Sequence, residues 1–425
     1  MIGRVVGAFA IVASTLCAFP RVAESQQRVP PGPTLKRLLE IAQPNDSLSI
    51  KTFWDSVGKR GTPFVDSVHG DSAHIVASFV YRSATINNVI LENGVMGWNY
   101  ILNQLERVPG TDIWHISALL PADIRLGYVF RENDDLIPWG VEPNQGVRWK
   151  GNRPDPFNPR MDSAQGKRSL IVGPRAAPDH WSVPNEHVAA GKIEDVEFES
   201  AVHREKRKVS VYLPPVPSTK GLPLLVVFDG PTYRHVVRLP VIVDNLLAER
   251  KIAPVVILFV EQVDRMQELA PNETFTTYVT RELIPWMRQR YQLSGDPRHT
   301  IVAGSSHGGL AAVSLAVQHP EEIGNVIAQS PSLWWSPPQD SEPEWLARVV
   351  AHKSKMPVRF YLEVGTLEID RSNGGKPGQL DVSRHFRDVL NARGYDVTYS
   401  EFTGGHEYQS WRVTIPNALM KLLGH

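Results

Sequence analysis

The sequence predicts an α/β protein, with a largely parallel sheet flanked by helices on both faces and a small β-sandwich in front of it. Three observations carry this. Residues 74–82, 88–94, 112–120 and 125–131 are strand-like runs separated by turn residues, with no helical period. Beyond about residue 189 the pattern changes to apolar strand runs alternating with helical stretches, the signature of a parallel sheet. A chain of 425 residues is also too long for one ordinary core.

Taken in order, residues 1–25 read as a signal peptide. Arg4 supplies the basic start, residues 5–19 the apolar stretch, and Ala23 and Ser25 the small residues of a cleavage site. That run is shorter than the roughly 20 residues a spanning helix needs. Cys17, the one cysteine, lies inside it, so the processed chain would hold no thiol and no disulfide. The expected location is therefore the periplasm or the medium, with no membrane contact after cleavage. Residues 26–60 read as a leader, mobile at 26–33, with a short helix at 35–41. The sandwich is expected over 61–135, a Pro- and Gly-rich linker over 136–188, and the catalytic domain over 189–425. There, strands are expected at 209–213, 223–228, 254–260, 300–304, 324–329, 358–364 and 397–402. Helices are expected at 274–291, 307–319 and 382–393. Lys+Arg and Asp+Glu are equal at 45 each, so no net field favours nucleic acid as a partner.

The sharpest motif is Gly304-Ser305-Ser306-His307-Gly308, set between the strand run TIVAG and the helical run GLAAVSLAV. A G-x-S-x-G elbow exposes the central Ser306 hydroxyl on a strained strand-to-helix turn and aims helix N–H groups at a reacting carbonyl, the arrangement of the α/β-hydrolase fold. Ser305 lacks the symmetric glycines. His307 is placed to give its N–H to an oxyanion hole, with its ring toward the mouth. In this fold the acid and then the histidine follow the serine in the chain. Of His319, His352, His385, His406 and His425, only His406 follows a strand, in FTGGHEYQSW. The acid should leave the strand before it. Glu368 fits, Asp370 is the alternative, and Glu363 lies within the strand. A second oxyanion donor is expected from Asp229-Gly230-Pro231-Thr232-Tyr233. Pro231 has no N–H, which leaves Gly230, Thr232 or the Tyr233 hydroxyl. On the substrate side, Trp334 and Trp335 offer aromatic walls, Arg265 a cation, and Tyr233 a further ring. No metal-ligand spacing or phosphate loop occurs, so no cofactor is expected.

The blocks RVPGTDIWHISALLPADIRLGYVF, PDPFNPR, VFDGPTY, the elbow, AQSPSLWW, EVGTLE and GGHEYQSWR are similar, in order, to those of the enterochelin esterase family. Its members hydrolyse the ester scaffold of catecholate siderophores. The resemblance implies a serine carboxylic-ester hydrolase acting through an acyl-enzyme formed by Ser306, His406 and Glu368. Its partner would be a small-molecule ester, an iron–siderophore complex included. Pro231, His307 and the export signal depart from the family's pattern. Feruloyl, acetyl or other acyl esters are the alternative substrates, and a non-catalytic binding protein is the alternative class. The sandwich is expected to pack on the hydrolase and narrow its entrance.

Overall fold

The computed structural model describes residues 27–92, 95, 100–137, 150–162, 167–369 and 377–424. The signal-peptide residues and Asp370 lie outside the described residues.

The N-terminal strands are β1 (Gln27–Arg28), β2 (Phe64–Val68), β3 (Asp71–Arg82), β4 (Val89–Glu92), β5 (Glu106–Arg107), β6 (Ile113–Pro121), β7 (Arg125–Glu132), β8 (Asn152–Arg153), β9 (Met161–Asp162) and β10 (Arg168–Val172). They form two antiparallel sheets, ordered β1-β6-β3-β2 with β5 on β6, and β4-β7-β10-β9 with β8 on β7. Alternation along β3, β6 and β7 turns Phe79, Ile116, Leu120, Tyr128 and Phe130 into one apolar layer between the sheets. Phe79 and Tyr128 meet edge to face there at 4.9 Å.

Two expectations need correction. Residues 27–28 of the leader pair with Leu119 and Ala118 of β6. After them come α1 (Pro33–Leu39) and α2 (Ser47–Arg60), of which the second was not anticipated. Asp46 caps α2 through the Leu48 N–H, and Phe53, Trp54 and Val57 form an apolar stripe that needs a partner surface. They find it, with Leu35, against Phe64, Val80 and Ile113. The stretch read as a linker likewise carries β8, β9 and β10. Asp155 of PDPFNPR is buried, accepting from Thr62 Oγ1 and the Tyr128 hydroxyl at 2.7 Å each, and its N–H donates to Ser169 Oγ at 2.8 Å. That segment is therefore a knot inside the sandwich.

The second half is one sheet: β11 (Lys192–Ser200), β12 (Glu205–Leu213), β13 (Leu224–Val227), β14 (Val256–Val260), β15 (Thr300–Ser305), β16 (Asn325–Gln329), β17 (Arg359–Gly365) and β18 (Asp396–Phe402). The order is β11-β12-β14-β13-β15-β16-β17-β18, parallel from β14 to β18 and antiparallel over the β11-β12-β14 edge. Strands β13, β14 and β16 are buried at every residue, as expected of strands covered on both faces. The helices that matter for the site are α3 (Gly230–His235), α4 (His307–Gln318), α5 (Gln379–Ala392) and α6 (Tyr408–Leu423). The helix expected at 274–291 is wound more loosely over Tyr278–Leu283, just ahead of Pro285, which has no N–H to donate. All the parallel strands deliver their following loops to the same edge of the sheet, where an open α/β sheet presents its crevice.

Candidate active site

Ser306 joins β15 to α4 with φ 57° and ψ −121°, a conformation side-chain-bearing residues seldom adopt. Three backbone bonds of 3.0 Å hold it there: its N–H to Gln329, and its carbonyl from Leu310 and Ser332. Gly304 and Gly309 are fixed by packing against backbone, while a Cβ on Gly308 would stand 3.2 Å from Asp229 Oδ2. A Cβ on Gly304 would stand 2.5 Å from the Gly308 carbonyl, and one on Gly309 would stand 3.0 Å from Pro331. Ser305 is wholly buried, so it offers no nucleophile.

His406 stands on the loop after β18, with its Nδ1 2.6 Å from Glu368 Oε2. Glu368 is itself fixed. Its Oε1 accepts from Ser330 Oγ at 2.6 Å and from the Gly365 N–H at 2.8 Å, while Trp411 Nε1 donates to the same Ser330 hydroxyl at 3.0 Å. The Trp411 ring stands edge-on to the imidazole at 5.0 Å. With Nδ1 so engaged, Nε2 is the ring atom left to handle a proton. His319 and His385 pair with Glu321 and Glu344 instead. Glu363 is buried in the strand, bonded by Gln329 and Thr414, and burial pushes its carboxyl up to about 7.

Ser306 Oγ makes no hydrogen bond to His406 in this structure. It lies 3.4 Å from Ser332 Oγ, which is 3.2 Å from His307 Nδ1. The His307 ring was expected to face the mouth. It is buried instead, edge-on to Trp334 at 5.6 Å. Sequence reasoning gave no role to Ser330 or Ser332, although both lie in AQSPSLWW. A serine's partners are not encoded in its neighbours.

Of the second-donor candidates, the Thr232 N–H is engaged by the Asp229 carbonyl at 2.9 Å. Tyr233 is fully buried and its hydroxyl donates to Gln329 Oε1 at 2.7 Å, which removes it from both the oxyanion and the substrate side. Gly230, the first residue of α3, retains an N–H suited to the task. A Cβ there would meet the Phe259–Val260 backbone at 2.8 Å, so only glycine fits. Arg265 is gripped by Asp229 at 2.6 and 2.7 Å rather than presented to an anion. Trp334 donates to Gln379 Oε1 at 2.9 Å and borders the serine through His307. Trp335 turns to Trp345, 5.9 Å away.

The Esterase family model matches residues 200–422, and the model of the enterochelin esterase N-terminal domain matches residues 77–182. The chain is 27% identical over 408 residues to the iron(III) enterobactin esterase of Dickeya dadantii, covering 85% of this chain and 90% of that one. It is 26% identical to the iron(III) salmochelin esterase of Escherichia coli O6:H1, covering 88% and 94%. Among solved structures, the enterobactin esterase of Shigella flexneri, determined in the presence of enterobactin, superposes with a TM-score of 0.69 at 23% identity, over 88% of this chain and 97% of that one. The ferric enterobactin esterase of Salmonella typhimurium gives 0.70 at 23%, over 88% and 98%. At that identity the superpositions speak for the fold, and the two family models speak for kinship. With the esterase match spanning more than half of its length and the family's own N-terminal domain ahead of it, the chain belongs to the enterochelin esterase family and is an esterase.

Proposed function

We propose that the chain is an exported serine esterase that cleaves the ester bonds of catecholate siderophores, with Ser306 as nucleophile, His406 as base and Glu368 as the acid that orients it. The observation that carries this is the buried Glu368 carboxylate 2.6 Å from His406 Nδ1 and bonded to Ser330, two residues before the Ser332 that holds the strained Ser306 turn. His406 Nε2 takes the Ser306 proton as Oγ leaves Ser332 and attacks the ester carbonyl carbon. The tetrahedral oxyanion rests on the N–H groups of His307 and Gly230, at the N-termini of two helices. Collapse breaks the carbon–oxygen bond, the imidazolium gives its proton to the departing alkoxide, and water then hydrolyses the acyl-enzyme by the same route.

The substrate class rests on the relatives, which are esterases of enterobactin and salmochelin, in iron(III) form by name. Trp334, next to the elbow, offers an edge for a catechol ring. Export rests on the N-terminal sequence alone. The test is hydrolysis of a panel holding a nitrophenyl ester, a feruloyl ester and iron-free and iron-loaded tricatecholate triesters, together with labelling by a fluorophosphonate. The triesters should turn over with the highest kcat/KM and Ser306 alone should be labelled. A preference for the feruloyl ester would overturn the substrate, and label on another residue would overturn the mechanism.

A further inference from the structure

One wall of the loop that carries His406 belongs to the other domain. Glu407, the next residue, turns away from the site into the sandwich and is buried there, 5% exposed. Its Oε1 accepts the N–H of Gly127 in β7 at 2.8 Å, and its Oε2 lies 3.8 Å from Arg168 of β10. A Cβ on Gly127 would stand 2.9 Å from Glu407 Oε2, so a side chain there would push on the carboxyl. The loop touches the sandwich at two further points ahead of this contact. A Cβ on Gly405 would meet Leu126 at 3.0 Å, and Thr403 Oγ1 donates to Asp123 at 3.1 Å. Leu367, one residue before the acid, is buried within the sandwich core itself.

We infer that Glu407 is a positioning residue for the base, and that the N-terminal domain sets the rate of ester hydrolysis by holding the His406 loop through the Gly127–Glu407 bond. This rests on His406 being the base. The domain interface has a second anchor for comparison, Arg412, bound to Asp162 at 2.7 Å and Asp179 at 2.9 Å. That anchor docks the domains without contacting His406. If Glu407 were only another anchor, its loss would cost stability and nothing else. If it positions the base, its loss misplaces an imidazole, and displacement of a catalytic group by about 1 Å can cost on the order of 100-fold in rate.

The experiment compares Glu407→Gln, Glu407→Asp, Glu407→Ala, Gly127→Ala and the Glu407→Ala/Gly127→Ala pair in the full chain, with Asp162→Asn as the anchor control. Fold is checked by thermal melting. Readouts are kcat and KM on a nitrophenyl ester and on a tricatecholate triester, and the downfield proton resonance of His406 Nδ1–H. Glutamine keeps the acceptor for Gly127 and should stay within a few-fold of the parent. Aspartate keeps the carboxyl but is one methylene short, and should lose about 10- to 100-fold in kcat with KM little changed, equally on both esters. Gly127→Ala should do the same from the other domain, the double variant should be no worse than the worse single one, and the Nδ1–H resonance should shift in each impaired variant. Asp162→Asn should lower the melting temperature and leave kcat alone. Parental kcat in folded Glu407→Asp, additive losses in the pair, or an equal kcat loss in Asp162→Asn would overturn the inference. If the alanine variants do not fold, the order of aspartate against glutamine decides it. Failure of the underlying reading looks different, because His406→Ala would then remain active, whereas the resonance reports on Glu407 without any turnover.

Discussion

The two halves of this chain use buried polar groups in opposite ways. In the sandwich, Asp155 is surrounded by partners that satisfy it: Thr62, Tyr128 and the Phe157 N–H take up its oxygens, and the knot ties one sheet to the other. In the hydrolase half, Glu368 is just as buried and just as well bonded, but one oxygen is spent on a histidine that is partly open to solvent. The same chemistry gives rigidity in one place and, on the proposed mechanism, a poised proton acceptor in the other. What separates them is whether the last partner in the chain of bonds can meet a substrate.

That contrast can be broken at several points, with effects of decreasing size. Ser306→Ala should lower kcat on order of 10⁴-fold or more with the melting temperature unchanged, as stopped assays on a nitrophenyl ester would show. Glu368→Gln, which leaves the imidazole without its carboxylate, should cost roughly 10²- to 10⁴-fold in kcat with little change in KM. Asp370→Asn should cost little, and a reversal of the two would move the acid by two residues. Thr62→Val, which leaves Asp155 one donor short in the sandwich, should lower stability by about 1–3 kcal/mol in urea titration while kcat stays at the parental value. The smallest effect concerns Glu363. Its folded carboxyl titrates at about 7 against an ordinary 4.5, so it holds its proton more tightly folded than unfolded. Its contribution to stability is greatest below about 4.5 and is lost as pH rises to about 7. Glu363→Gln should therefore show a smaller fall in urea midpoint than the parent between pH 5 and pH 8.

The fold was more legible in the hydrolase half, and physics explains why. Strands such as β13 and β14 are covered on both faces and read as unbroken apolar runs, and the elbow announces itself because no side chain fits at Gly304. Strand β11, KIEDVEFES, sits at the sheet edge with exposed charges and was passed over for that reason. Strands β8 and β9 are two residues each, set among prolines, and no periodicity can show at that length. The site's geometry was legible where a residue's place follows from its element: Ser306 at the elbow, His406 after the strand and its glycines. It was illegible where the role is set by a partner far away. Tyr233 looked like a surface ring and is core. Arg265 looked available and is held by Asp229. Glu407 drew no reading from the sequence, since its partner Gly127 lies 280 residues earlier.

That last separation has a consequence in time. The ribosome delivers β7 early and Glu407 about 280 residues later. Contacts so far apart in sequence close late, because the loop-closure entropy is met before the bond rewards it. The strands of the sandwich can be paired, and the elbow formed, while the histidine loop still has nothing to rest on. On the proposed mechanism a nascent chain would thus carry its serine without a seated base, and ester hydrolysis would begin only once Glu407 has met β7.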